Sequence, residues 1–365
     1  MADSLFNNRP HHGGNLEWAA EVANCSPFAL LDFSASVSPL GPPASAIAAI
    51  QASLQQLARY PNPHYPHLCQ QLAQHHQIDP EWILPGNGAA ELLTWASRDL
   101  ATWDSTYLLT PAFRDYERSL ATSAAKVVPL SLPLSAAETN IVNWRAVFTP
   151  CLQSAARCGL LLNTPHNPTG LLLPRRIVTW LLSHVGLVVV DEAFMNFLSP
   201  DQQTSLISQI ERWPNLVILR SLTKFYSLPG LRLGYAIAHP DRLQRWQQWR
   251  DPWPVNALAA AAATVLKDQA FQQQTWQWLA TARPALWQAL KAIPGLYPFP
   301  GQANYLLVRC DRSTSALQRE LLQHDRILIR DCLSFPELGD RYFRIAVRRP
   351  EENQRLITAL QRVMA

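Results

Sequence analysis

The run VILRSLTKFYSLPGLRLGYAIA, Val217 to Ala238, decides how the chain folds and what chemistry its centre can hold. Val217-Ile218-Leu219 is an apolar strand running into Arg220, Ser221 and Thr223, with Lys224 directly behind them and Gly230, Arg232 and Gly234 spaced after it. A strand that ends in hydroxyls, a lysine and a glycine-spaced arginine is built to hold an anion beside an amine. An ammonium is strongly hydrated and is rarely buried without a partner, so Lys224 reads as a lysine of lowered pKa with a nucleophilic role. Schiff-base formation is the chemistry this suits. A lone lysine at such a position would more often be a side chain snorkelling from a strand end; its company elsewhere in the chain overturns that reading.

Outward from this run, strand and helix signals alternate. Ala89–Arg98 reads as a helix after a Gly86-Asn87-Gly88 turn, Thr106–Leu109 as a strand, Phe113–Ser123 as a helix and Lys126–Leu130 as a strand. Gly159–Asn163 (strand), Arg175–His184 (helix) and the strands Leu187–Val190, Val217–Leu219 and Gly234–Ile237 follow. Continuously apolar strands separated by helices describe a mainly parallel sheet covered on both faces. After Pro252-Trp253-Pro254 the pattern becomes a long helical region to about Ala292, then strand Tyr305–Arg309, helix Thr314–His324, strands Ile327–Arg330 and Tyr342–Ala346, and helix Glu351–Met364. The expected division is a large domain over 43–253, a smaller α+β domain over 254–365, and an N-terminal segment, 1–42, packed on the smaller one.

Composition sets the outer bounds. A chain of 365 residues, 48% hydrophobic, is long enough for one large domain and a smaller one. Charged residues make up only 16%, which fits either a surface covered by another subunit or a polar uncharged surface. The net charge of +4 comes without a Lys/Arg block or an aromatic-basic ladder, so no nucleic-acid partner is expected. Six cysteines, none in a C-x-x-C pair, point to a reducing cytosol. His75-His76 near Cys69 lacks a second ligand pair and reads as helix surface, so no metal is expected. The polar stretch Met1 to Gly14 has no apolar signal core, and Ala257 to Leu266 is too short to span a bilayer, which places the chain in the cytoplasm and off the membrane.

The loops after the central strands share one kind of chemistry. Gly88-Ala89-Ala90 opens a helix with small residues, so backbone N–H groups and the helix dipole can meet a phosphate. Many glycine turns start helices without doing so. Asn163-Thr164-Pro165-His166-Asn167-Pro168-Thr169-Gly170 is a rigid turn presenting Asn167 as a neutral donor, or simply a Pro-Gly turn. Leu187 to Asp191 ends a buried strand in a carboxylate, where a cationic partner is required. A pyridinium nitrogen is such a partner.

Taken in order, NTPHNPTG, VVVDEAF and RSLTKFYSLPGLRLGY resemble the fold type I pyridoxal-phosphate family of aspartate and histidinol-phosphate aminotransferases. The resemblance implies an α/β large domain with a mainly parallel seven-stranded sheet, a smaller α+β domain, pyridoxal 5'-phosphate as cofactor and a homodimer. It makes Lys224 the Schiff-base lysine, Asp191 the partner of the ring nitrogen and Asn167 the partner of the ring O3′. Ser221, Thr223, Arg232 and the Gly88-Ala89-Ala90 backbone would hold the cofactor phosphate, Phe113 would stack on the ring, and Tyr60 would reach the cofactor phosphate of the neighbouring subunit. Arg344, in YFRIAVR, would grip the substrate carboxylate.

One departure narrows the reading: Phe194 stands where these aminotransferases usually have a tyrosine, removing one hydrogen bond to O3′. With HHGGNLEWAAE, LLDFSASVSPLGPP, DPWPVNALAAAAA and ILIRDCLSF, the chain is similar along nearly its whole length to the L-threonine-O-3-phosphate decarboxylases of the cobamide pathway. That similarity implies a phosphorylated amino-acid substrate losing CO2 to give (R)-1-amino-2-propanol O-2-phosphate. His12, Asn15 and Arg330 become the candidates for the substrate phosphate. Ser36, Ser38 and His166 replace residues that are more often asparagine in that family. The alternative is histidinol-phosphate aminotransferase, which shares every cofactor residue. A pyridoxal-phosphate-binding transcription regulator is disfavoured, because the module begins by about Leu31, without room for a winged helix.

Overall fold

Ahead of Pro42 the chain forms a helix, Leu16–Ala23, and a two-residue strand, β1 (Leu31–Asp32). The computed structural model describes residues 9–153 and 157–365, so the first eight residues of the 1–42 segment lie outside it. The strands of the main sheet follow: β2 (Ile83–Asn87), β3 (Ser105–Thr110), β4 (Val127–Ser131), β5 (Cys158–Asn163), β6 (Leu187–Asp191), β7 (Leu216–Ser221) and β8 (Leu233–Ala238). Their order is β2-β8-β7-β6-β5-β3-β4. Only β8 runs against its neighbours; the pairs from β7 across to β4 are all parallel.

Both faces of this sheet are covered, which is why its strands are apolar at every position rather than alternate ones. Along β6, Val188 and Val190 enter one core while Leu187 and Val189 enter the other; along β7, Ile218 faces the first and Val217 and Leu219 the second. The expected turn at Gly86-Asn87-Gly88 is corrected here. Gly86 and Asn87 end β2, and the helix Gly88–Leu100 begins at once. Glycine serves close packing there: a Cβ on Gly86 would lie 2.8 Å from the Leu92 side chain, and one on its partner Gly234 would lie 2.5 Å from the Ala89 backbone nitrogen.

The C-terminal part holds β9 (Leu296–Pro298), β10 (Tyr305–Cys310), β11 (Ile327–Leu328), β12 (Arg330–Asp331) and β13 (Tyr342–Ala346). β12-β13-β10-β9 form an antiparallel sheet. The expected single strand Ile327–Arg330 is therefore two: β11 pairs in parallel with β1, and β12 pairs with β13, leaving Ile329 between them. Ala19 and Val22 of the first helix pack on Leu322 and Leu328, so the N-terminal segment sits on this part of the chain. The long helical region after Pro254 is also divided. A helix Ala257–Ala261 and a 3-10 segment Ala262–Lys267 precede the helix Gln269–Lys291, which starts where the Asp268 carboxylate accepts from the Phe271 N–H at 3.0 Å. Among the described residues, no helix is long and apolar enough to cross a membrane.

Candidate active site

In an open α/β sheet the groups that meet a ligand gather at the carboxyl edge of the parallel strands. Here Asn163 pairs with Asp191 and Asp191 with Leu219, so β5, β6 and β7 end level and release the Asn167 turn, Asp191 and the Ser221–Lys224 loop from one edge. β2 ends at the same edge and starts the Gly88 helix there, while the antiparallel β8 begins there just after Arg232.

Lys224 and Asp191 each keep a small open face, yet both charged groups are withdrawn from bulk water. Burial lowers the pKa of the Lys224 amine, and Arg232 and Arg344 lower it further; Asp191 opposes them. Burial raises the Asp191 carboxyl, with Lys224 opposing. The Lys224 amine lies 5.1 Å from the centre of the Phe194 ring, an apolar neighbour where a tyrosine would have offered a hydroxyl. The lysine backbone is held as well, its carbonyl accepting from the Ser38 N–H at 2.9 Å. Asp191 Oδ1 accepts from the Ala193 N–H and Oδ2 from the Tyr116 hydroxyl, each at 2.9 Å.

An anion-binding corner adjoins these two. The buried hydroxyls of Ser221 and Thr223 lie 2.8 Å apart. Gly88 takes φ +75°, and a Cβ on it would meet Arg232 Nη2 at 2.5 Å, so the Arg232 guanidinium packs directly on the helix start. The corner thus joins two hydroxyls, a guanidinium and the first N–H groups of a helix, the donor set of a phosphate site. Ala90 lies one residue further into the first turn, where its carbonyl accepts from Thr94 Oγ1 at 3.3 Å.

The candidates on the substrate side divide into two groups. Arg344 Nη1 donates to Asn167 Oδ1 at 2.5 Å, and its guanidinium lies 4.8 Å from the Tyr305 ring centre. Its buried Nε has no partner among the described residues, and burial lowers its pKa. Arg330 is directly opposite Arg344 across β12 and β13, but its donors go to Ser334 Oγ at 2.6 Å and to the carbonyls of His11 and Pro10. His12 stands 3.7 Å from Asp115 Oδ1 and 5.7 Å from the Phe113 ring. Asn15 caps the first helix, accepting from the Trp18 N–H at 2.9 Å. His12 and Asn15 share a cavity of about 1110 Å³ with Arg114, Arg118 and Ser334. Tyr60 belongs elsewhere: 80% exposed, its ring lies tilted against Trp253 at 4.5 Å beside a groove of about 730 Å³ lined by Ala52, Gln56, Tyr65 and Ala261.

Sequence reasoning missed Tyr116 and Tyr305 and gave no structural part to His166, Glu192 or Arg220. Tyr116 follows Phe113 by three positions, and its ring meets that of Phe113 edge-on at 5.5 Å. Tyr305 donates to the His166 carbonyl at 2.9 Å and packs edge-on against Phe194 at 4.8 Å. His166 is fully buried, with Nδ1 2.8 Å from Thr169 Oγ1, and burial pushes its pKa down to about 3. Behind the edge, Arg220 and Glu192 form a buried ion pair at 2.8 Å, and Arg220 also donates to Asn196 Oδ1 at 2.5 Å. The signal for that pair was present: Glu192 follows Asp191 and Arg220 precedes Ser221, opposite charges on neighbouring strand ends.

The chain is 41% identical to the threonine-phosphate decarboxylase of Salmonella typhimurium, over 99% of this chain and 98% of that one. It is similar to the crystal structure of histidinol-phosphate aminotransferase from Clostridium acetobutylicum, with a TM-score of 0.84 and 26% identity over 92% of this chain and 99% of that one. The crystal structure of L-threonine-O-3-phosphate decarboxylase from Porphyromonas gingivalis gives a TM-score of 0.79 and 26% identity over 91% and 98%. The aminotransferase class I and II pattern matches residues 29–360, a span that takes in both the Lys224 edge and the Arg344 sheet. On that match the chain belongs to the aminotransferase class I and II family.

Proposed function

We propose that this chain is a pyridoxal-phosphate-dependent carboxy-lyase that removes CO2 from L-threonine O-3-phosphate, giving (R)-1-amino-2-propanol O-2-phosphate for cobamide synthesis. The observation that carries the reading is the full-length similarity to the Salmonella decarboxylase. The residues at the sheet edge fit the cofactor. An amine of lowered pKa at Lys224, a carboxylate at Asp191 and the corner of Ser221, Thr223, Arg232 and the Gly88-Ala89-Ala90 backbone match its carbonyl, its ring nitrogen and its phosphate. Pyridoxal phosphate, when bound, supplies a carbonyl that condenses with an amine and a protonated ring that takes up the electron pair left at Cα.

The protein's own groups choose which bond at Cα is broken. Arg344, with Nε open and Nη1 anchored on Asn167, is placed to grip the substrate carboxylate and fix its rotation. His12, Asn15 and Arg330 are the proposed contacts of the substrate phosphate, and together with Arg344 they set the orientation in which the carboxylate leaves. Lys224 is the group that returns a proton to Cα, burial having lowered the pKa of its ammonium from the ordinary lysine value and so made it a readier acid. Phe194 adds no hydroxyl to this face.

Within this reading, 43–253 is the cofactor-binding domain and 254–365, with 1–42 packed on it, the domain that carries Arg344. The enzyme works in the cytoplasm as a homodimer, with Tyr60 serving the partner's site. Its exposure beside the likewise exposed Leu54, Leu57 and Trp253 supports this. The test is to incubate the purified protein with L-threonine O-3-phosphate, and separately with histidinol phosphate plus 2-oxoglutarate, measuring CO2 release and amino transfer. CO2 release from the first with little amino transfer in the second is expected. Rapid transamination without decarboxylation would move the assignment to histidinol-phosphate aminotransferase. Borohydride should fix the cofactor on Lys224, and label on another lysine would overturn the site.

A further inference from the structure

We propose that Tyr116 is a positioning residue that keeps Asp191 ionised and correctly turned, through the hydrogen bond from its phenol to Asp191 Oδ2. The inference rests on the cofactor reading and concerns how Asp191 does its part. Tyr116 lies in the first turn of the helix Arg114–Thr122, is 3% exposed, and its N–H donates to the Phe113 carbonyl at 2.8 Å. Its hydroxyl reaches across to β6 and meets Asp191 at 2.9 Å, while the Ala193 N–H takes the other carboxylate oxygen at the same distance. Two neutral donors, one per oxygen, fix the plane of the carboxylate without cancelling its charge.

A donor to a carboxylate also makes it a weaker base, so a proton shared with a ring nitrogen stays on the nitrogen. Burial alone would push Asp191 toward its neutral form, and the Tyr116 hydrogen bond opposes this. The same side chain braces Phe113, the ring proposed to stack on the cofactor, by an edge contact at 5.5 Å. One residue therefore touches both the stacking ring and the charge partner. The titratable and charged groups acting on Asp191 are Lys224, Tyr116 and Tyr305, with Glu192 next in the chain and itself paired to Arg220.

Tyr116→Phe keeps the ring and its packing and deletes only the donor. The measurement is the dissociation constant of pyridoxal phosphate from the apoenzyme, read by quenching of tryptophan fluorescence between pH 5 and 9, in wild type, Y116F, D191N and the double variant. Differences between variants cancel the titration of the free cofactor. Without the phenol, Asp191 should protonate at higher pH, so the acid limb along which binding weakens should move up by about one pH unit in Y116F. Along that limb binding should weaken severalfold, and Y116F should have no further effect once residue 191 is asparagine. A uniform loss of affinity at every pH, an unmoved limb, or an equal effect of Y116F in the D191N background would overturn the assignment. A wild type that does not take up pyridoxal phosphate would instead refute the cofactor reading on which the assignment rests.

Discussion

Arg344 and Asn167 come from opposite halves of the chain and meet at 2.5 Å, guanidinium to amide oxygen. The contact couples the residue proposed to hold the substrate carboxylate to the one proposed to hold the cofactor's O3′. It also uses the amide oxygen and leaves the Asn167 NH2 as the donor. Arg344→Lys keeps the charge but loses the planar fork. We expect kcat/KM to fall tenfold to a hundredfold, about 1.5–3 kcal/mol, with cofactor occupancy unchanged in the absorbance spectrum.

Arg330 separates substrate-phosphate recognition from the rest of the site. Its donors now rest on Ser334 and on carbonyls of the amino-terminal strap. Arg330→Ala should raise KM for threonine phosphate by about tenfold to a hundredfold while changing the turnover of unphosphorylated threonine little. Equal losses on both substrates would assign Arg330 to holding the strap alone.

The Glu192–Arg220 pair is a stability prediction. Glu192→Gln leaves a buried guanidinium without its counter-charge and should cost about 3–5 kcal/mol in urea unfolding. Replacing both partners, as Glu192→Leu with Arg220→Met, should cost less than either single change. If the double variant is the least stable of the set, the ion pair is not the source of the loss.

His166 predicts an acid limit. Its folded pKa lies near 3, whereas an unfolded histidine titrates near 6.5, so the unfolded chain binds more protons between those values. The contribution of neutral His166 is fully present above about pH 6.5 and is lost as pH falls toward 3, at up to about 1.4 kcal/mol per pH unit. His166→Asn should flatten the fall in unfolding free energy between pH 6.5 and 4.5 relative to wild type. Parallel curves for the two proteins would contradict it.

Shared sites predict complementation. Lys224→Ala and Tyr60→Phe should each be weakly active or inactive alone, and mixing the two under exchange conditions should restore activity through hybrid dimers carrying one intact site. Sedimentation of the wild type as a monomer at assay concentration would rule this out.

The residues proposed to hold the cofactor were legible because they sit at or just past strand ends flagged by a glycine, a proline or a charge after an apolar run. Asp191, Lys224, Asn167 and Ser221 could all be found in that way, and register then brings their strand ends level. β2 was not legible, because Gly86 and Gly88 carry the composition of a turn while their role is to let Leu92 and Arg232 approach. Nor was the split of Ile327–Asp331, since one apolar run feeds two sheets and periodicity does not name a strand's partner. Tyr305 escaped because an aromatic side chain in an apolar stretch looks like core until the hydroxyl's partner is known, and Tyr116 because Arg114, Asp115, Glu117 and Arg118 around it give it the company of a surface position.

Ile329 joins β11, which holds β1 of the amino-terminal segment, to β12, which lies against the strand bearing Arg344. Arg330 of β12 in turn donates to the Pro10 and His11 carbonyls, so this short run is tied both to the amino-terminal segment and to the strand bearing Arg344. The groups proposed for the two ends of the substrate are thereby fastened to one stretch of backbone. Variation along this stretch would act on how the substrate is held and leave the machinery around Lys224 as it is.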